Sequence, residues 1–180
     1  MGKRSNFERN PRNYYITPYE AVLPLLPHIV NVKKFSEPCA GNGALIEHLE
    51  KHRKKCYWAS DIEPQSDGIQ KADALKLTTP LEWSECIITN PPWPTIGKKG
   101  EPVISLIKHF VKQAPTWLLL PSDFAHNKYF VDSGVDSLCH KIVSVGRVKW
   151  IPDSKSFGKD NCAWMLFENF NGNTIFYGGR

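Results

Sequence analysis

In the segment "CIITNPPWPTI", residues 86–96, two side chains do more than a turn requires: the Asn90 amide and the Trp93 ring. Cys86, Ile87 and Ile88 read as a core strand. Pro91 and Pro92 then end it, because each lacks a backbone N–H and fixes φ at about −65°. The product is a stiff turn at a strand end that presents one neutral amide, able to accept hydrogen bonds through its oxygen, and one large ring. A second set of residues lies upstream. In "FSEPCAGNGAL", residues 35–45, Gly41 and Gly43 allow a tight turn and a close ligand approach. Asp61 closes "ASDI", where a carboxylate can accept from ribose hydroxyls. Asp73 in "KADAL" can accept from an exocyclic amine. Each acid alone reads equally as a solvent-facing loop residue; the ordered set carries the functional reading. The turn lacks the full GxGxxG of a dinucleotide site, and no GxxxxGK[ST] occurs, so a nucleoside ligand without a pyrophosphate fits better.

These residues need elements to position them. "KKFSEPC" reads as a strand, "GALIEHLEKHRKK" as a helix with Leu45, Ile46 and Leu49 on one side, and "CYWASDI" as the next strand. "KADALKL" holds a short third strand and "ECIITN" a fourth; "PVISLIKHFVKQA" is an amphipathic helix; "TWLLLP" is an apolar run suited to a central parallel strand. "KIVSVGRVKWI" and "CAWMLFENF" read as two longer strands joined by a polar loop, and "TIFYGG" as a further edge strand. Upstream, "YYITPYEAVLPLLPHI" is helical but broken by Pro24 and Pro27, and residues 1–13 form a polar arm. Alternating strands and helices over residues 34–121 imply a parallel sheet covered on both faces, with an antiparallel pair at one edge.

The 180 residues suggest one domain, with no linker or repeat. No apolar run approaches the ~18 residues of a membrane helix, and "MGKRSNFERN" has no signal-peptide core, so a cytoplasmic protein is expected. Five cysteines without a CxxC argue against a disulfide framework. His48 and His52, four apart with Cys56 beyond, have zinc-ligand spacing, but a solvated helix face explains them as well and no metal is expected. The net charge of +5 comes from the N-terminal arm, from Lys51, Arg53, Lys54 and Lys55, and from Lys98 and Lys99 after the Trp93 turn. Such a balance favours a polyanionic partner.

"EPCAGNGAL", "SDIE", "ADAL" and "ITNPPW", in that order, resemble the S-adenosylmethionine-dependent amino-methyltransferases, above all the DNA adenine-N6 enzymes whose cofactor motif precedes the catalytic one. "YITP", residues 15–18, resembles that group's extra N-terminal motif. The resemblance implies a Rossmann-like class I methyltransferase, with a mostly parallel seven-stranded sheet and an antiparallel edge strand. It implies S-adenosylmethionine as cofactor, with Thr17 and Pro18 at its methionine end and Glu37, Pro38, Ala40, Gly41 and Gly43 lining it. Asp61 with Ile62, or else the neighbouring Glu63, would hold the ribose; Asp73 with Ala74 would hold the adenine, and Asn90 would border the cofactor. Asn90, Pro91, Pro92 and Trp93 would be the catalytic turn, with Trp93 and Phe157 clamping a flipped base.

That resemblance gives the turn a chemical purpose. An exocyclic adenine amine is a poor nucleophile, because its lone pair is delocalised into the ring. Acceptors at the Asn90 side-chain oxygen and the Pro91 carbonyl would pull the nitrogen towards tetrahedral geometry. Catalysis then rests on positioning for in-line methyl transfer. The expected partner is DNA, reached by base flipping if duplex; RNA adenine, or a glutamine amide of a protein, presents a similar nitrogen and is the alternative. A non-catalytic nucleic-acid-binding module is a third reading, which the intact Asn90 and glycines disfavour. No target-recognition domain is expected, a monomer is favoured, and a chain this compact would suit a bacteriophage or mobile element.

Overall fold

In the computed structural model, residues 15–78, 84–94, 97–151 and 157–178 are described. The expected N-terminal arm, 1–13, and part of the loop before Phe157 lie outside them. The strands are β1 (Lys34–Glu37), β2 (Lys55–Asp61), β3 (Gln70–Lys71), β4 (Cys86–Thr89), β5 (Thr116–Pro121), β6 (Cys139–Gly146), β7 (Cys162–Phe167) and β8 (Ile175–Tyr177). They form one sheet in the order β3-β2-β1-β4-β5-β7-β6-β8. From β3 to β5 every pairing is parallel. β7 runs antiparallel to both β5 and β6, and β8 is parallel to β6. This is the expected Rossmann-like architecture in a mostly parallel sheet. Among the described residues the sheet has eight strands rather than seven, and the antiparallel β7 is inserted between neighbours while β8 forms the margin.

Both faces of the sheet are covered. Side chains alternate along a strand, so Ile88, Trp117 and Leu119 join a core beneath α1 (Tyr19–Val22) and α2 (Ala44–Glu50). Ile87, Leu118 and Leu120 join another beneath α3 (Val103–Phe110) and α4 (Lys128–Asp132). Val103, Leu106, Ile107 and Phe110 are all buried, as the amphipathic pattern of α3 predicts. α2 stops at Glu50, several residues short of the helix read from the sequence, and its buried face is Leu45 and Leu49. The proline-broken N-terminal segment becomes α1 followed by a 3-10 helix, Leu23–His28. The Trp164 indole donates to the Ala21 carbonyl at 2.7 Å and anchors α1 to β7.

One sequence expectation changes, and one stretch left unread gains structure. "KADALKL" supplies no strand beyond Lys71; Asp73 instead starts a 3-10 helix over Ala74–Lys76. The crossover after β5, not resolved into elements by the pattern, contains a 3-10 helix (Ser122–His126), α4 and another 3-10 turn (Asp136–Leu138). None is long enough to display a helical period.

Candidate active site

β1, β2 and β4 run in parallel, so their carboxyl ends deliver Glu37, Asp61 and Asn90 to one edge of the sheet. At that edge the chain turns from β1 into α2 through Gly41 and Gly43, with φ of 55° and 84°. Both lie in the left-handed region that a side chain disfavours. The Asp61 carboxylate holds this turn: Oδ2 accepts from the Gly41 N–H at 2.8 Å, and Oδ1 accepts from the Glu63 N–H at 2.8 Å. The loop after β2 closes on the turn from the other side. Gln65 N–H donates to the Gly41 carbonyl at 2.9 Å, and the Ser66 hydroxyl donates to the Asn42 carbonyl at 2.9 Å. Asp61 is thus bound into the architecture of the turn, while Ile62 and Glu63 are exposed beside it.

Glu37 lies underneath, 1% exposed, and its Oε2 has no hydrogen-bond partner. A buried carboxylate oxygen without a donor is costly, which favours the neutral carboxyl. Burial, reinforced by the Asp61 charge, pushes its carboxyl well above the usual range. Burial also raises the Cys39 thiol, and Asp61, Glu37 and Asp73 all push it the same way. Three carboxylates therefore converge around one residue of the turn. Asp73 caps its 3-10 helix through Oδ1, which accepts from Leu75 N–H at 3.0 Å. Its Oδ2 lies 3.7 Å from the Lys76 ammonium. Pro38, Ala40, Gly41 and Gly43 are buried, and Ala74 is half-buried.

The Asn90 side chain is oriented by the N-terminal segment. Its Nδ2 donates to the Thr17 hydroxyl at 3.2 Å and to the Tyr15 carbonyl at 3.5 Å. Using the amide nitrogen in this way reserves Oδ1 as an acceptor for an outside donor. Thr17 is buried and Pro18 half-buried. Pro91 is buried and Pro92 half-buried. The Trp93 indole donates to the Leu119 carbonyl at 2.9 Å.

Trp150 is the residue the sequence reading missed. Its ring meets that of Trp93 edge-on at 5.2 Å and that of Tyr15 at 6.1 Å. Gly158 packs so closely that any Cβ there would lie 2.8 Å from the Trp150 ring. Trp150 thereby ties the turn after β4, the N-terminal segment and the β6–β7 connection together. Its signal was a tryptophan just past a strand's end, indistinguishable in sequence from one belonging to the strand. Phe157 sits in the same connection, 60% exposed, with the Lys149 ammonium 5.5 Å from its ring centre.

His48 and His52 do not converge as metal ligands. Tyr19 packs against both rings, stacking on His52 and donating to or accepting from its Nε2 at 2.9 Å. Among the described residues, no group of three His, Cys, Asp or Glu side chains is arranged to hold a metal ion, and no helix is long and apolar enough to cross a membrane.

No family model matches the sequence, and no curated protein matches it. Solved structures do match the fold. A putative class I S-adenosylmethionine-dependent methyltransferase from Listeria monocytogenes superposes with a TM-score of 0.57 at 10% identity, over 98% of this chain and 68% of that one. A putative RNA methyltransferase from Pyrococcus horikoshii gives 0.57 at 14% identity, over 90% of this chain and 93% of that one. The M protein of the type I restriction enzyme EcoKI gives 0.55 at 11% identity; the match takes in 85% of this chain and only 44% of that protein. The fold is that of class I methyltransferases.

Proposed function

We propose that the protein transfers a methyl group from S-adenosylmethionine to the N6 amine of adenine in DNA, and that residues 1–180 form one methyltransferase domain. The observation that carries this reading is the Asn90 amide. Its nitrogen is held by Thr17 and Tyr15, so its oxygen is the group offered at the carboxyl end of β4. An acceptor fixed there suits an amine that must be held by its hydrogens and has no use for a base-like charge.

The residues present fit the cofactor. Glu37 is buried with an unpartnered oxygen and favours its neutral form, and a cationic group placed against it would favour the ionised carboxylate. The left-handed glycine turn exposes backbone to a close ligand. In this reading Thr17 and Pro18 border the methionine portion, Asp61 with Ile62, or else Glu63, takes the ribose, and Asp73 with Ala74 takes the adenine. When bound, S-adenosylmethionine supplies an electrophilic methyl group on a sulfonium. The chain's own contribution is geometric. Asn90 Oδ1 and the Pro91 carbonyl hold the two amine hydrogens, so the nitrogen lone pair is turned out of conjugation. Pro92 stiffens the turn that carries both acceptors. Trp93, secured at its N–H edge by Leu119, offers ring surface to a flipped base, and Phe157 would close on it.

The test is transfer of labelled methyl from S-adenosylmethionine to unmethylated duplex DNA, followed by digestion to nucleosides. Labelled N6-methyladenosine of the deoxy series is the expected product. One similar structure is described as an RNA methyltransferase, so unmethylated RNA belongs in the same assay. Label in RNA alone, or in neither nucleic acid, would overturn the DNA reading.

A further inference from the structure

Past the catalytic turn, the chain enters a concavity of about 600 Å³ between the segment before α3 and the helix α4. Three ammonium groups line it: Lys98 and Lys99 from the loop and Lys108 from α3. Two carboxylates line it as well, but both are engaged. Glu101 Oε2 accepts from the Ser105 N–H at 3.3 Å, and Asp132 pairs with Lys128 at 3.6 Å. Lys98, Lys99 and Lys108 are exposed and have no ion-pair or side-chain hydrogen-bond partner among the described residues.

The loop that carries them is seated. Gly100, with φ of 90°, lies directly against Tyr129 of α4: a Cβ there would come within 2.6 Å of Ile104 and 2.7 Å of the Tyr129 ring. Lys99 itself is held at a φ of 46°. Topology places the concavity on the functional edge. The loop follows the carboxyl end of β4, α4 follows the carboxyl end of β5, and these two strands are parallel neighbours. The basic cluster of Arg53 and Lys55 leads into the first residue of β2 and so lies at the strands' amino ends. Its Lys54 is consumed by the Ile29 and Val30 carbonyls.

We infer that Lys98, Lys99 and Lys108 form a docking surface for the sugar–phosphate backbone of duplex DNA beside the catalytic turn. The inference rests on the substrate reading above and adds the surface that would hold that substrate. Ammonium groups on flexible stems meet phosphates as point charges, which contributes affinity and orientation without reading base sequence. Each phosphate neutralised releases counterions, so binding weakens with salt by a slope of about 0.9 per contact.

The experiment measures anisotropy of a short end-labelled DNA duplex with the full chain across a potassium chloride series. Wild type is compared with K98Q/K99Q/K108Q and with R53Q/K55Q, and S-adenosylmethionine affinity is measured by calorimetry for each. All five positions are exposed, so folding is not at stake. The expected result is a log–log salt slope lower by about two to three in the triple variant. The loss should be equal on unrelated sequences, with the wild-type slope in R53Q/K55Q and cofactor affinity unchanged in both. If wild type binds duplex and the triple variant keeps its slope, the docking surface is wrong while the substrate reading stands. If wild type binds the cofactor but no duplex, both fall together. If the lysine-dependent slope appears only with an RNA hairpin or with polyglutamate, the commitment to DNA is overturned.

Discussion

Two halves of one sheet edge carry opposite charge. At the carboxyl ends of β1 and β2, Glu37, Asp61 and Asp73 gather around the glycine turn, and the lysine drawn to them, Lys76, has its side chain 84% exposed. After β4 and β5, the concavity is lined by Lys98, Lys99 and Lys108; of its two carboxylates, Asp132 pairs with Lys128 and Glu101 accepts from the Ser105 N–H. Asn90 stands at the end of β4, between them. The overall charge of +5 hides this division. On the proposed reading, the acidic half suits a small cationic donor and the basic half a polyanion, and a neutral acceptor is what remains suitable where the two meet. A carboxylate at position 90 would repel the polyanion, and a lysine would bring no acceptor.

The sharpest way to break the comparison is at its junction. Asn90→Ala should lower single-turnover methyl transfer by a hundredfold or more, on the order expected when a reacting group loses its positioning. Cofactor affinity by calorimetry should stay within a few-fold. A comparable loss of cofactor affinity would move Asn90 into the acidic half.

The acidic half can be tested at Glu37. Replacement by Gln keeps the shape and removes the charge the carboxyl could develop. Affinity for S-adenosylmethionine should fall about tenfold or more, since hydrogen bonds to charged groups contribute roughly 1.5–3 kcal/mol. The same variant has a pH signature. The native carboxyl is held well above its ordinary value by burial and by Asp61, so the folded state keeps a proton that the unfolded chain releases above about pH 4.3. Wild-type stability therefore falls as pH rises above that point, up to the raised native value. Glu37→Gln should lack that part of the slope in urea titrations. Parallel pH profiles for the two proteins would show that Glu37 is not buried as described.

Asp73→Ala should act more weakly and doubly. Loss of the cap on the Ala74–Lys76 turn costs about 1 kcal/mol, read as a shift in the urea midpoint. Cofactor affinity should drop several-fold, and binding of duplex DNA should not. The smallest effect belongs to the basic half. Gly100→Ala forces a methyl group against Tyr129 and Ile104, displacing the lysine-bearing loop. DNA affinity should fall a few-fold, while cofactor affinity holds. An effect on the cofactor alone would erase the distinction between the halves.

Much of this arrangement was legible without coordinates, because the informative residues act through local chain properties. Prolines after an apolar run end a strand wherever it occurs, and glycines between a strand and an amphipathic helix make a turn. The motif order therefore located Gly41, Gly43, Asp61 and Asn90 at strand ends, and the alternation of strands and helices implied the sheet. The roles within the site were not legible in the same way. Asp61 reads as a ribose acceptor, and its partnership with a glycine amide twenty residues away is not visible in the sequence. Asp73 looked like a strand end and is a helix cap. Trp150 carried no motif at all.

What the sequence by itself determined was which elements form and which side chains stand at their ends, since propensity, periodicity and backbone restriction operate over a few neighbouring residues. Only the tertiary structure decided which polar groups are already satisfied. The Asn90 nitrogen is used by Thr17 and Tyr15, the Asp61 oxygens by Gly41 and Glu63, and the acids beside Lys98, Lys99 and Lys108 by their own helices. Hydrogen bonds and charges are short-ranged in space and indifferent to separation along the chain. What remains available for a ligand is therefore fixed only when the sheet brings distant segments to one edge.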